Sequence, residues 1–320
     1  MMNKNIDVVA LGELLIDFTD SGLSAQGNGL FEANPGGAPC NVLAMLQRQG
    51  YSTAFIGKVG NDIFGRKLKT VLEETGIETC GLVMDEKIRT TLAFVENDET
   101  GDRSFSFYRS PGADMMLDES EVDEELIRSA RIFHFGTLSM THEGVRNATK
   151  KAIKVARENG LMISFDPNIR EMLWDDMEAA RSQVEYGLKQ CDILKISDNE
   201  ITWFTGEADY DKAVAKLQQE YEIPLILLSM GRDGSSAFAN GCRAEAPAVI
   251  SEETIETTGA GDTFMGCCLG YVLEHGLKEL TEDNLKEMLK FANTAASIIT
   301  RRCGALKVMP TMEEIKEIMQ

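Results

Sequence analysis

Histidine is scarce in this chain of 320 residues: the three copies, His134, His142 and His275, lie far apart. Histidine-ligated metal centres place their ligands at short, regular spacings, and none is seen here. The seven cysteines include no Cys-x-x-Cys pair. We therefore expect reduced thiols packed as small apolar residues in a cytoplasmic protein. His134 lies in an apolar run, and we expect it to be a core residue.

Positive charge is also in short supply. Lys and Arg together number 32 against 52 Asp and Glu, which gives a net charge of −20. The field of such a chain repels phosphate backbones and anionic lipids, so nucleic acid and membrane surfaces are not expected as partners. The sequence contains no run of 18 apolar residues and does not open on a secretory signal pattern. Small molecules are the expected partners.

The common nucleotide-binding motifs are missing as well. The sequence has no Gly-x-x-x-x-Gly-Lys-Ser/Thr loop and no Gly-x-Gly-x-x-Gly between its first strand and helix. It also lacks the His-Arg-Asp and Asp-Phe-Gly motifs of protein kinases. These absences argue against a P-loop enzyme, a Rossmann dehydrogenase and a protein kinase. Any phosphoryl transfer must use a different architecture.

Apolar runs typical of buried strands alternate with amphipathic helices along most of the chain. Strands are predicted at 6–11, 53–59, 131–135, 161–165, 193–196 and 225–228, and helices at 41–49, 62–74 and 144–159. Crossovers of a dozen or more residues between strands specify a mostly parallel sheet covered by helices. The predicted fold class is therefore α/β.

Two segments interrupt this alternation. Residues 13–31 follow the first strand without a helix, and residues 90–109 contain two alternating runs joined by the polar turn 97–102. The second pattern is typical of a β-hairpin. Together the two segments predict a small antiparallel sheet beside the main domain, of the kind that can act as a lid and exclude water from a reaction.

The most informative motif is Thr257-Thr258-Gly259-Ala260-Gly261-Asp262-Thr263, which precedes a predicted buried helix. Backbone amides at a glycine-rich helix start bind anions. A carboxylate at such a place is explained if Asp262 accepts a hydroxyl proton while the amides hold the phosphoryl group in transfer. The alternative is that Asp262 only stabilises the helix dipole.

Polar or glycine-rich residues follow the predicted strands repeatedly, as in Gly12-Glu13, Asp166-Pro167-Asn168, Ser197–Glu200 and Ser229–Gly234. Open parallel sheets bind their ligands at the carboxyl ends of the strands. Four such strand ends, together with Asp262, predict one composite cleft.

Two signatures resemble those of the ribokinase-like (PfkB) carbohydrate kinases. They are Glu256–Asp262 near the C-terminus and the Gly-Gly run Asn34–Val42 near the N-terminus. The segments Phe107–Met115 and Asp166–Arg170 resemble those of the fructokinases within this family. The resemblance covers essentially the whole chain. It implies a ribokinase-like three-layer α/β/α fold, with one kinase domain over residues 1–320 and a lid formed by segments at about 13–35 and 88–112.

The resemblance also implies roles for individual residues. Asp262 would be the base, and the amides of Gly259, Ala260 and Gly261 would form the anion hole. The residues implied to contact the sugar are Asp17, Gly36, Gly37, Asn41, Phe107, Arg109 and Arg170. The positions implied for ATP are Lys195, Ser229, Gly231, Gly234 and Asn293. The open alternatives are that the arginines pair with nearby carboxylates at the surface, that Asn293 is solvated or packs its helix, and that Phe107 packs the hairpin.

Metal ions are implied at two places. Glu200 corresponds to the glutamate of the family's Asn-x-x-Glu motif and would hold Mg²⁺ through water, although Ser197 stands where Asn is usual. Glu256 stands where many members have Asp beside a K⁺ site, with Thr258, Thr300, Cys303 and Ala305 as neighbours. The longer Glu side chain leaves K⁺ dependence open.

The implied activity is transfer of the γ-phosphoryl group of ATP to the 6-hydroxyl of D-fructose. The alternatives are a 2-keto-3-deoxygluconate kinase, another ketose or ribose kinase, and a non-catalytic sugar or nucleotide sensor with the same fold. The resemblance also suggests a homodimer formed through the lid.

Overall fold

A computed structural model describes residues 5–97 and 103–320. Its strands are β1 (Ile6–Leu11), β2 (Leu15–Leu23), β3 (Gly29–Gly36), β4 (Thr53–Gly60), β5 (Glu78–Asp85), β6 (Leu92–Asn97), β7 (Arg103–Tyr108), β8 (Ala130–Gly136), β9 (Met162–Asp166), β10 (Ile193–Ser197), β11 (Leu225–Ser229), β12 (Ser235–Ala239) and β13 (Cys242–Ala246). Its α-helices are α1 (Ala38–Arg48), α2 (Ile63–Thr75), α3 (Glu124–Arg128), α4 (Glu143–Glu158), α5 (Met177–Leu188), α6 (Asp198–Thr205), α7 (Tyr210–Tyr221), α8 (Ala260–His275), α9 (Glu282–Ile299) and α10 (Met312–Met319).

The main sheet has the strand order β13-β12-β11-β10-β9-β8-β1-β4-β5. All neighbours from β11 to β5 are parallel, while β12 and β13 continue the sheet as antiparallel strands. Parallel neighbours require crossover connections, and the helices between the strands provide them. The predicted alternation of strands and helices is confirmed.

Helices cover both faces of this sheet. In β1, Val8 and Ala10 pack in one buried cluster with α1, α8 and α9, whereas Val9 and Leu11 pack in a second cluster with α4, α5 and α7. Successive side chains of a strand point to opposite faces, so β1 is buried on both. The sheet with helices on its two faces forms three layers. Burial on both faces explains why the strands have continuous apolar sequences.

A smaller sheet has the order β3-β2-β6-β7. The predicted hairpin is confirmed, because β6 and β7 pair antiparallel with Leu92 opposite Tyr108. Most of the turn predicted at 97–102 lies outside the described residues. The predicted small antiparallel sheet is present with one exception: its central pair, β2 and β6, is parallel, and Phe18 stands opposite Phe94.

Two further details differ from the sequence prediction. Helix α1 begins at Ala38, three residues before its predicted start, because Pro39 is compatible with a first helical turn whose amides lack intrahelical partners. The β12–β13 hairpin was not predicted. Asn240 and Gly241 form its turn with positive φ angles of 53° and 74°, the backbone conformation that Asn-Gly pairs adopt in two-residue hairpins.

No helix in the described ranges is long and apolar enough to cross a membrane.

His134 is buried on β8, where its Nδ1 lies 2.8 Å from the hydroxyl of Ser164 on β9. Burial lowers the pKa of His134 to about 3, so the ring is neutral. The prediction of a core histidine is confirmed.

Candidate active site

Three adjoining cavities lie beyond the carboxyl ends of the parallel strands. We name them the Asp262, Asn293 and Glu200 cavities, and their volumes are about 310, 230 and 350 Å³. Thr257 lines both the Asp262 and Asn293 cavities, while Asn168, Arg170 and Lys195 line both the Asp262 and Glu200 cavities. Shared walls make the three cavities one continuous cleft, as the polar strand ends predicted.

Asp262 occupies the first turn of α8 and is only 8% exposed. The side-chain amide of Asn41 donates to its Oδ2 at 2.8 Å, and that of Asn168 donates to its Oδ1 at 3.4 Å. Burial raises the pKa of Asp262, while the hydrogen bond from Asn41 and the charge of Lys195 oppose the rise. A carboxylate with a raised pKa is a better proton acceptor for a hydroxyl than a solvated one.

Space for a side chain is limited on both sides of Ala260. Gly259 begins α8 with φ of 75°, and a Cβ there would lie 2.6 Å from the Cβ of Ala305. A Cβ on Gly261 would lie 3.2 Å from the Nζ of Lys195. The glycines therefore bring the helix start close to a positive charge. The amide of Ala260 donates to the carbonyl of Thr257 at 3.3 Å, so this donor is already partly engaged.

Lys195 on β10 is buried, and its ammonium lies 3.1 Å from Oδ2 of Asp166 at the end of β9. Burial alone would lower the pKa of Lys195, but the charges of Asp166, Glu200 and Asp262 outweigh it and raise the pKa. Lys195 is therefore a permanent cation at the wall shared by two cavities. Together with the start of α8, it makes this wall electropositive inside a protein of strongly negative net charge.

Asp17 and Gly36 meet across the β2–β3 pair. A Cβ on Gly36 would lie 2.4 Å from Oδ2 of Asp17, so only glycine leaves room for this carboxylate. Gly37 has φ of 130°, and a Cβ there would lie 2.4 Å from the carbonyl oxygen of Glu13. Among the residues implied to contact sugar, the ones that line the Asp262 cavity are Asp17, Gly37, Asn41, Phe107 and Arg170.

Arg109 does not line this cavity. Its guanidinium is buried, with Nε and Nη2 each 2.7 Å from Oδ2 of Asp114. Nη1 donates to Thr141 and Nη2 to the carbonyl of Leu138. Arg109 pairs with a nearby carboxylate, as the alternative holds, but the pair is buried and not at the surface. Four short contacts would have to break before this arginine could reach a ligand. Arg170, by contrast, lines both the Asp262 and Glu200 cavities.

Asn293 and Ser297 stand one helical turn apart on α9 and line the Asn293 cavity together with Gly231. Asn293 accepts from Ser235 and donates to the carbonyl of Ala246, so it holds the cavity wall together. The Ser297 hydroxyl is buried without a hydrogen-bond partner among the described residues.

Ser229 and Gly234 are not among the residues that line this cavity. Ser229 faces Ser197 and Ser235 across the sheet. A Cβ on Gly234 would lie 2.2 Å from the carbonyl of Ala246, so this glycine shapes the turn behind the wall.

Glu200 lines its cavity while capping α6. Its Oε2 accepts from the amide and hydroxyl of Ser197, and its Oε1 accepts from the amide of Ile169. A carboxylate offers about four lone-pair positions, so one remains for a water molecule. Within the described ranges, no group of three or more His, Cys, Asp or Glu side chains forms a direct metal site. Contact with a metal through water is the arrangement that fits.

Glu256 links its own loop to the loop that carries Gly304 and Ala305. Its Oε1 accepts from the amide of Gly304 at 2.8 Å, while Ala305 packs against Gly259. The carbonyl of Thr300 accepts from the amides of Ile255 and Glu256. Both lone pairs of that carbonyl are thus engaged, which argues against Thr300 as a cation ligand through its carbonyl. Three residues of the predicted set remain candidates beside Glu256: Thr258, Cys303 and Ala305.

Three polar residues at or next to the cleft were not assigned a role from the sequence: Glu13 and Asn168, which line the Asp262 cavity, and Asp166, which pairs with Lys195. Each follows or ends a buried strand, and this position was the available signal. Asn168 has φ of 49°, a left-handed conformation that Asn tolerates better than most residues.

A family model for pfkB family carbohydrate kinases matches residues 5–312. The chain belongs to the pfkB family of carbohydrate kinases. This kinase is 39% identical over 311 residues to a probable fructokinase-2 of Arabidopsis thaliana, covering 97% of this chain and 94% of that protein. The family and the enzyme class predicted from the two signatures are confirmed.

Solved structures of other carbohydrate kinases share the fold. A fructokinase of Xylella fastidiosa with bound ATP has a TM-score of 0.89 and 29% identity, covering 98% of each chain. A double-mutant fructokinase of Vibrio cholerae O395, in a form with fructose, ADP and potassium ion bound, has a TM-score of 0.87 and 26% identity, covering 100% of each chain. The predicted α/β class, with three layers and a mostly parallel sheet, is confirmed.

Substitution of Gly36 by Ala tests the contact with Asp17. The added methyl group would displace the carboxylate, and we expect the KM for the sugar substrate to rise at least about tenfold, a loss of about 1.4 kcal/mol, with little change in Tm. Gly29→Ala on the same strand is the control, since no atom lies within 4 Å of its added Cβ. Equal KM values for the two variants would contradict the role of Gly36.

Substitution of Arg109 by Ala tests whether this residue is structural. Removal of one partner leaves the Asp114 charge buried and unpaired, so urea unfolding should show a loss of about 3–5 kcal/mol. Arg243→Ala is the control: its pairs with Asp211 and Glu245 are about half exposed, and the expected loss is about 0–1 kcal/mol. An Arg109 variant of unchanged stability with a raised sugar KM would restore the original prediction.

Proposed function

We propose that this kinase transfers the γ-phosphoryl group of ATP to the 6-hydroxyl of D-fructose, giving fructose 6-phosphate and ADP. The observation that carries the proposal is the position of Asp262, buried at a helix start where two cavities meet. One cavity is rich in charged and polar side chains suited to a sugar, and the other combines Ala, Val and Ile side chains with Ser, Thr and Asn groups, which suits a nucleoside.

The Asp262 cavity is assigned to the sugar. Asp17 accepts hydrogen bonds from sugar hydroxyls, Gly36 leaves room for the Asp17 carboxylate, and Gly37 allows the ring to approach the backbone. Asn41 has a buried Oδ1 without a partner among the described residues, which suits it to accept from a hydroxyl. Phe107 and Arg170 complete the wall. Arg109 acts indirectly, by holding the end of β7 against the carbonyl of Leu138, which lines the same cavity.

Asp262 is the general base. Asn41 occupies its Oδ2, so Oδ1, with a longer contact from Asn168, is the oxygen that accepts the substrate proton. A carboxylate cannot generate a free alkoxide in the ground state, because its pKa lies far below that of an alcohol. The proton therefore moves late, as the new P–O bond forms in a loose transition state.

The Asn293 cavity is assigned to the nucleoside of ATP, with Gly231 and Asn293 in its wall and the hydroxyl of Ser297 available to a base edge. ATP supplies the phosphoryl group, and Mg²⁺ neutralises charge on its phosphates. The chain contributes the amides of Gly259–Gly261 and the ammonium of Lys195, which stabilise negative charge at the start of α8. Ser229 and Gly234 support the wall from behind. Glu200 would hold Mg²⁺ through a water molecule.

A monovalent cation is a further part of the proposal. The loops carrying Glu256 and Cys303 meet beside Gly259, so K⁺ held there by Glu256, Thr258 and Ala305 would support the anion hole. The Vibrio cholerae fructokinase is a relative with potassium ion bound. Replacement of K⁺ by Li⁺ at constant ionic strength should lower turnover, and unchanged turnover would contradict this part.

The small sheet is proposed to act as a lid of one kinase domain and as a dimer interface. Its strands contribute Leu23, Phe31 and Tyr108, which are 73%, 52% and 66% exposed. Phe31 and Tyr108 both contact Phe94, and exposed apolar side chains grouped in this way are typical of association sites. Sedimentation at twice the monomer mass would support a dimer, and monomer mass would contradict it.

A cytoplasmic location is proposed as well, because exposed thiols such as Cys80 and Cys303 stay reduced there. Cell fractionation tests this location.

The alternatives differ in what the cleft must provide. A 2-keto-3-deoxygluconate substrate needs cations for its carboxylate, and Arg109 is committed to Asp114, which leaves Arg170. This favours a neutral sugar such as fructose. Phosphorylation of another ketose or of ribose would use the same base and the same anion hole. A non-catalytic sensor has no need of Asp262 or the glycines around it.

An ADP-release assay with Mg·ATP and a panel of sugars tests the proposal. The panel contains fructose, ribose, tagatose, glucose and 2-keto-3-deoxygluconate, and we expect kcat/KM to be highest for fructose. A preference for the keto acid would keep Asp262 as base and reassign Arg170 to a carboxylate. The absence of ADP release with every sugar would support the non-catalytic sensor.

Asp262→Asn tests the base. We expect a fall in kcat of at least about 10³-fold with sugar binding retained, because the amide cannot accept the proton. Asp283→Asn is the control, since Asp283 is an exposed acidic residue in the first turn of α9. If Asp262 only stabilises the helix dipole, both variants will lose up to about 1 kcal/mol of stability and keep normal turnover.

A further inference from the structure

Glu13 is a buried carboxylate that the chemistry of phosphoryl transfer does not use. It follows β1, is 4% exposed and lines the Asp262 cavity. Its Oε1 accepts from the backbone amide of Ala38 at 2.8 Å. Ala38 is the first residue of α1, so the carboxylate stands at the positive end of that helix.

Helix α1 depends on this distant carboxylate because it cannot cap itself. Its N-cap residue is Gly37, which has no side chain to accept from the first-turn amides. Glycine is required there, since any Cβ would strike the carbonyl oxygen of Glu13. The backbone of Glu13 thus excludes a side-chain cap, and the side chain of Glu13 replaces it.

The first turn of α1 leads directly to the base. Asn41 is 4% exposed, and its backbone amide donates to the carbonyl of Gly37 at 3.0 Å. Its side-chain amide donates to Oδ2 of Asp262 at 2.8 Å. A shift of the first turn would therefore be passed to the carboxylate that accepts the proton.

We propose that Glu13 is a positioning residue for the transfer reaction: by anchoring the first turn of α1, it holds Asn41 against Asp262 and orients the base. This inference rests on the proposed role of Asp262. Burial raises the pKa of Glu13 to about 7, and the nearby Asp114 adds to the rise while the hydrogen bond from Ala38 and the charge of Arg109 oppose it. The amide contact is retained in either protonation state, because the carbonyl oxygen of a protonated carboxyl group still accepts a hydrogen bond.

The kinetic test combines Glu13→Ala, Glu13→Gln and Asn41→Ala with the double variant of Glu13→Ala and Asn41→Ala. We expect Glu13→Ala to lower kcat at least about tenfold and Glu13→Gln to stay within about threefold of the parent, since its amide oxygen still accepts from Ala38. The double variant should be no slower than Asn41→Ala, because both changes remove one pathway. KM for ATP should not change.

Asp209→Ala is the matched control. Asp209 caps α7 by accepting from the amide of Lys212 at 3.1 Å, and no residue of α7 lines the three cavities. This variant should lower Tm by a few degrees without changing kcat. A Glu13→Ala variant that behaves in the same way would be merely destabilised, and this would overturn the proposal.

A crystal structure of Glu13→Ala tests the positioning role independently of activity. We expect the contact between Asn41 and Asp262 to lengthen beyond hydrogen-bond distance, and to be retained in Glu13→Gln. An unchanged contact in Glu13→Ala overturns the positioning role whatever the kinetics. An inactive parent enzyme would refute the fructokinase proposal instead, while the structural comparison would still test Glu13.

Discussion

The burial of the Asp262 carboxylate at the start of α8 is the constraint around which the cleft is organised. A buried charge is costly unless hydrogen bonds and opposite charges compensate it. Here Asn41 comes from α1, Asn168 from the loop after β9 and Lys195 from β10. The proposed base is therefore usable only when three distant parts of the chain have folded against α8.

The same arrangement resolves the conflict between the overall charge of the protein and its anionic ligand. The chain carries a net charge of −20, yet Lys195 and Arg170 face the cleft beside a helix N-terminus. Coulomb energies fall with distance and are screened by salt beyond about 8 Å, so the nearest charges dominate inside a buried site. The net charge of the chain argues against nucleic acids and anionic membranes as partners. The positive charges nearest the cleft favour an anionic ligand there.

Sequence patterns predicted the parts of the fold that depend on local periodicity. The apolar run Ile6–Leu11 and the hairpin around Leu92 and Tyr108 were predicted because period-two and continuous apolar patterns report burial directly. The β12–β13 hairpin was missed although its Asn240-Gly241 turn was visible. Its strand Ser235–Ala239 consists mainly of small residues that carry little apolar contrast, and it becomes buried only as part of the large sheet.

By itself the sequence determined the family, the α/β class and the place of Asp262 behind two glycines, because these depend on residue types at short spacing. The tertiary structure alone decided which partner each polar side chain has. Arg109 was expected at the sugar but is bound by Asp114, and Glu13 caps a helix 25 residues away. Partner choice depends on distances of a few ångströms between elements remote in sequence, and no periodicity encodes those distances.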